Sequence, residues 1–138
     1  MPTIISYQKY IDALITRELN LPADESNRRL GTELATIGGT TYVSLPDGAT
    51  LPTEQPSEIA ASIETVTLTP TLREAIASAS PHVRLIRQLV QEKIAAAYSM
   101  ADEIKLLRTA PSAEFEAYNA HAEDCRAWGR DQKAALGL

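Results

Sequence analysis

The chain has 138 residues, of which 44% are hydrophobic, 22% charged and only 5% aromatic, with a formal net charge of −5. That balance fits one domain with a modest core of Leu, Ile, Val and Ala rather than a disordered chain. From Met1 to Pro70 four bases stand against nine acids, and no Lys or Arg falls between Arg29 and Arg73. The whole excess of negative charge therefore lies in the first half, and no basic stripe is available for nucleic acid.

The pattern of apolar residues predicts a mainly α fold, with a C-terminal three- to four-helix unit preceded by a small β/extended segment and an N-terminal helix. Three segments follow: an N-terminal helical arm over 1–37, an acidic β/extended segment over 38–69, and a C-terminal helical domain over 70–138. In the arm, Ile4, Tyr7, Ile11, Leu14 and Ile15 recur at helical spacing, which predicts a helix over 4–19 ended by Asn20 and Pro22. Leu30, Leu34 and Ile37 predict a second helix over 26–37, stopped by Gly38-Gly39.

The middle segment differs in composition, being rich in Pro, Thr and Ser. Strand formers occupy 40–45, and Pro46-Asp47-Gly48 is a turn signal, because proline presets one backbone angle and glycine permits the reversal. Residues 50–52 are expected to return as a strand and 63–69 to supply a third. A sheet this small needs a face to pack on.

Beyond Thr69 the helical signals are local. Thr69-Pro70 and Ser80-Pro81 are N-cap and first-turn pairs, opening helices over 70–79 and 81–98. Ser99, with Asp102 and Glu103 after it, opens a helix to about 108. The last helix runs over 112–136, with Phe115, Tyr118, Ala122, Cys125 and Leu136 as its stripe and Trp128 beside it.

Chemistry-bearing residues are sparse. His121 and Cys125 are four apart on the last helix, a spacing that suits a metal pair, but two ligands do not make a site and His82 is distant in sequence. A small enzyme using this pair is the weaker reading; a buried Cys125 with His121 at its rim is the stronger. Asp102-Glu103, Glu114 with Glu116, and Glu123-Asp124 fall at helix starts and on polar faces, where solvation and capping explain them. Gly38-Gly39 lacks the glycine and lysine spacing of a phosphate loop. Catalytic, cofactor and metal residues are accordingly expected to be absent. Cys125 is the only cysteine, so no internal disulfide is possible, and neither a signal peptide nor a membrane span is expected.

Two groups remain as candidate partner-binding residues. Tyr7, Tyr10, Ile11 and Leu14, with Ile15, form an apolar stripe that either packs back on the chain or inserts into a neighbour. Arg126, Trp128 and Arg130 form an aromatic and cationic group of the kind enriched at interface centres.

The C-terminal part carries three short patterns: I-x-x-x-Y-S-x-x-D-E (Ile94, Tyr98, Ser99, Asp102, Glu103), F-x-A-Y-N from Phe115 to Asn119, and C-R-x-W-G from Cys125 to Gly129. With these it resembles the ends of small proteins encoded among bacteriophage tail genes. The middle stretch SLPDGATLPTEQPSEIAASI, before TLTP, is similar to linkers in tail-fibre and fibre-assembly proteins. The resemblance covers roughly the last hundred residues. It implies a tail or baseplate component, or a chaperone for fibres, with other tail or fibre proteins as partners. Its implied location is the tail region of the virion, after synthesis in the bacterial cytoplasm. From the residues themselves, an oligomer or part of a larger assembly is expected, with no nucleic acid, no membrane and no cofactor.

Overall fold

A computed structural model describes residues 1–138. The chain forms two compact units, one of Met1–His82 with Ala135–Leu138 and the other of Val83–Ala134. Helix accounts for 46% of the residues and strand for 20%, so the fold is mixed α/β and the mainly α expectation is overturned.

The correction falls on the N-terminal arm. In place of a helix over 4–19 there is a strand, β1 (Thr3–Gln8), then a short hairpin of β2 (Tyr10–Ile11) and β3 (Thr16–Arg17). In place of a helix over 26–37 there is β4 (Thr32–Ile37), paired with β5 (Thr40–Leu45). Gly38 and Gly39 are the two central residues of that hairpin, with φ +56° and +83°. Two successive positive φ angles make the primed turn whose twist matches the flanking strands, and glycine adopts them without steric cost.

β5 also pairs antiparallel with β1, Thr3 opposite Leu45 and Gln8 opposite Thr40. β6 (Glu64–Val66) lies on the other side of β1, giving the order β4-β5-β1-β6. Residues 50–52 form no strand. The turn before them does form: the Ala49 N–H donates to the Pro46 carbonyl at 3.0 Å.

β1 is buried on both faces, which explains why its residues make a strand without showing one. Ile5 and Tyr7 point with Val43 and Leu45 into one cluster, closed by Leu19 and by Ile59 of α1 (Ser57–Ala60). Ile4 points the other way, into a cluster with Leu34, Ala35 and Ile76. Ile76 belongs to α2 (Pro70–Ala79), which packs on β4. The first of the four C-terminal helices is therefore part of the sheet unit. Leu136 and Leu138 pack against the same cluster.

The second unit holds most of α3 (Pro81–Ala97), all of α4 (Met100–Arg108) and nearly all of α5 (Ala113–Ala135). Polar caps set the helix starts. Thr69 Oγ1 accepts from the Leu72 N–H, Ser112 Oγ from the Phe115 N–H, and Ser99 forms a reciprocal box with Asp102. α3 and α5 run antiparallel: Tyr98 meets Tyr118 edge-on with ring centroids 5.0 Å apart, and Gly129 lies against Val90 and Ile86. No helix is long and apolar enough to cross a membrane.

Candidate functional site

The β2–β3 hairpin is built around Asp12. Its Oδ1 accepts from the N–H groups of Leu14 and Ile15 at 2.7 and 2.8 Å, and the Asp12 N–H donates to the Ile15 carbonyl at 3.0 Å. The Tyr10 hydroxyl donates to Asp12 Oδ2 at 3.1 Å. The two backbone donors, aided by that hydroxyl and by Arg17, hold the Asp12 carboxyl below its ordinary range, so it stays ionised at neutral pH. A four-residue tip tied by one ionised carboxylate is an ordered projection rather than a loose loop.

What the projection carries is apolar. Leu14 is 92% exposed and Ile11 69%, with Tyr10 and Ile15 partly open beside them. Clustered exposed aliphatics on an ordered element are the informative exception to apolar burial. Tyr7 is not among them: at 2% exposure it lies in the sheet core, where burial pushes its hydroxyl pKa up. The expected stripe is thus split. Its first member serves the fold, while Tyr10, Ile11 and Leu14 face solvent, because β1 ends at Gln8 and the chain turns out into the hairpin.

The flanking cations are engaged. Lys9 Nζ lies 2.6 Å from Glu33 and 3.6 Å from Glu18. Burial pulls its ammonium pKa down, but the hydrogen bond and charge of Glu33 outweigh that and raise it. Arg17 lies 3.5 Å from Glu58.

In the second unit α3 and α5 enclose a groove of about 530 Å³. Ile86, Val90 and Ile94 line one side at helical spacing, and Gly129 lies opposite. Arg87, Arg126, Arg130 and Lys133 stand around it. Glu123 pairs with Arg130 at 2.6 Å and lies 3.9 Å from Arg126, and the hydrogen bond from Arg130, with the charges of both guanidinium groups, lowers its pKa. Arg87 and Lys133 have no carboxylate within ion-pair distance. Trp128 does not line the groove; it lies under the Lys93 ammonium at 4.5 Å. The structure therefore places Arg126 and Arg130 together and sets Trp128 apart from them. Arg87 and Lys133 were not singled out from the sequence, and Gly129 was named only as the end of the C-R-x-W-G pattern. Only tertiary packing brings them together, and Gly129 in a helix interior was the one available hint.

α4 shows a further exposed stripe, Met100, Ile104 and Leu107. His121 and Cys125 do meet, Sγ lying 3.6 Å from Nε2. The same Nε2 is 3.3 Å from the Lys93 carbonyl, which can only accept, so a proton on Nε2 is used in tying α5 to α3. No group of three or more His, Cys, Asp or Glu is gathered as a metal cage. His82 lines a small cleft in the sheet unit with Glu18, Arg29 and Glu33, distant in sequence from His121. Asp102 is held ionised by the Ser99 backbone N–H and hydroxyl as part of the α4 cap.

No family model, no curated protein and no solved structure matches the chain.

Proposed function

We propose that this protein is a structural or adaptor component of the tail or baseplate region of a bacteriophage, working by docking onto neighbouring tail or fibre proteins. The observation that carries the reading is the ordered hairpin whose Ile11 and Leu14 are left to solvent. An aliphatic tip held by hydrogen bonds loses little conformational entropy when a partner covers it, so it binds well for its size. The resemblance of the Ile94–Glu103, Phe115–Asn119 and Cys125–Gly129 patterns to proteins of phage tail genes supplies the biological setting.

The test is mass spectrometry of purified particles from a phage that encodes the chain. The wild-type chain is expected in the particles, and an Ile11→Asp/Leu14→Asp variant is expected to be missing from them while remaining folded. A variant incorporated at the wild-type level contradicts the reading. A second reading, a non-virion assembly chaperone for tail fibres, draws on the exposed Met100, Ile104 and Leu107 of α4, because a methionine-bearing surface adapts to transient partners. It is favoured if the chain is absent from particles but co-purifies with unassembled fibre.

A further inference from the structure

The α3–α5 groove has a chemistry that its own unit leaves unused. Its floor is aliphatic, from Ile86, Val90 and Ile94, while Arg87, Arg126, Arg130 and Lys133 surround it and only Glu123 offsets them. An apolar floor with a cationic rim selects an occupant that is apolar at its centre and acidic at its margin. A bare phosphate or a nucleic-acid backbone would meet the rim but leave the aliphatic floor uncovered.

An occupant with that chemistry exists on the same chain. The β2–β3 hairpin presents Ile11 and Leu14 at a tip tied by Asp12, and at its base the three carboxylates of Glu18, Glu33 and Glu58 outnumber the two cations Lys9 and Arg17. Its flanking cations, Lys9 and Arg17, are already paired with carboxylates. The hairpin also lies in the half of the chain that holds nine acids against four bases. Resting on the docking reading, we infer that the hairpin of one copy seats in the α3–α5 groove of a second copy, so that copies join head to tail. The two surfaces differ, so the contact is heterologous. Each added copy brings a new hairpin and a new groove, and growth ends only in a closed ring or continues as a filament.

The experiment is sedimentation velocity on the full chain over a concentration series. Wild type is expected to gain mass with concentration, and to associate about tenfold more weakly at high salt, where the rim charges are screened. Ile11→Asp/Leu14→Asp and Arg87→Glu/Lys133→Glu chains are each expected to stay monomeric. Mixed together they are expected to form a one-to-one dimer and nothing larger, because one supplies only a groove and the other only a hairpin. Circular dichroism checks folding, and Arg87→Ala/Lys133→Ala replaces the charge reversal if that variant does not fold.

A wild-type chain that stays monomeric to about 100 μM, where a micromolar contact is nearly saturated, overturns the inference. So does a groove variant that self-associates like wild type, which would mean hairpin pairing with hairpin, and so does a mixture that yields no dimer. A monomeric wild type whose hairpin variant is still lost from phage particles overturns head-to-tail joining alone and leaves the docking reading in place. Head-to-tail joining of a chain that never enters particles does the reverse.

Discussion

Gly129→Ala separates packing from helix propensity, because the two act in opposite directions. Alanine in a helix interior is favoured over glycine by about 1 kcal/mol. Against this, a Cβ at Gly129 would lie 2.6 Å from Val90 Cγ2 and 3.7 Å from Ile86 Cγ2. Carbon atoms rest at about 3.5–4.0 Å, so roughly 1 Å must be absorbed at the first contact. Val90 is β-branched on a helix and has essentially one rotamer, so α3 and α5 have to separate instead. Overpacking of this kind costs about 1–3 kcal/mol, and the net expectation is a loss of about 1 kcal/mol. Val90→Ala alone should also destabilise, by about 1 kcal/mol, since the side chain is only half-buried. The double variant removes the clash and keeps the propensity gain, so a favourable coupling of about 1–2 kcal/mol is expected in a double-mutant cycle. Urea titration followed by far-UV circular dichroism reads all three. A Gly129→Ala chain stabilised by about 1 kcal/mol, or a coupling of zero, would refute this account of the helix contact.

The remaining predictions concern the hairpin and the caps. Tyr7→Ala is expected to destabilise by about 3–5 kcal/mol, as for a buried aromatic, whereas Leu14→Ala should change stability by no more than about 0.5 kcal/mol; similar losses at both sites would contradict the split between core and tip. Ser99→Ala removes the acceptor for the Asp102 N–H and should cost about 1 kcal/mol, with amide exchange at 100–103 rising first; unchanged exchange there would contradict the capping role. The Asp12 carboxyl is depressed in the folded state, so its contribution is present above the ordinary carboxylate range and lost as pH falls through the folded value. The Leu14 and Ile15 amide resonances should therefore titrate together with a midpoint below 3.8, and a midpoint at or above it would contradict the turn.

The helix starts were legible because their signals are local: Thr69, Ser99 and Ser112 cap helices with their own side chains, whatever lies elsewhere. Half of the sheet was legible, since the strands expected over 40–45 and within 63–69 are β5 and β6, whereas β1 was not legible because it is covered on both faces. Ile4, Ile5 and Tyr7 are all buried, which erases the alternation that marks a half-exposed strand. What remains visible, Ile4, Tyr7, Ile11 and Leu14, happens to match a helical period. In β4 a register shift between Glu33 and Ala35 leaves Leu34 and Ala35 both buried, which again hides the strand period. Gly38-Gly39 was ambiguous for a physical reason, since the same positive φ that ends a helix also makes a primed hairpin turn. At the site, the apolar character of Tyr10, Ile11 and Leu14 was readable, but their exposure depended on where β1 ended. The cationic groove was hidden because Arg87 and Lys133 converge only when α3 and α5 pack.

The most direct measurement is hydroxyl-radical footprinting of Ile11 and Leu14, in the isolated chain and in purified phage tails. Both side chains should label readily in isolation and become strongly protected in the tail, while Met100 provides an internal comparison on α4. Equal labelling of the hairpin tip in the two states would mean that nothing covers it, and docking through this tip would be wrong.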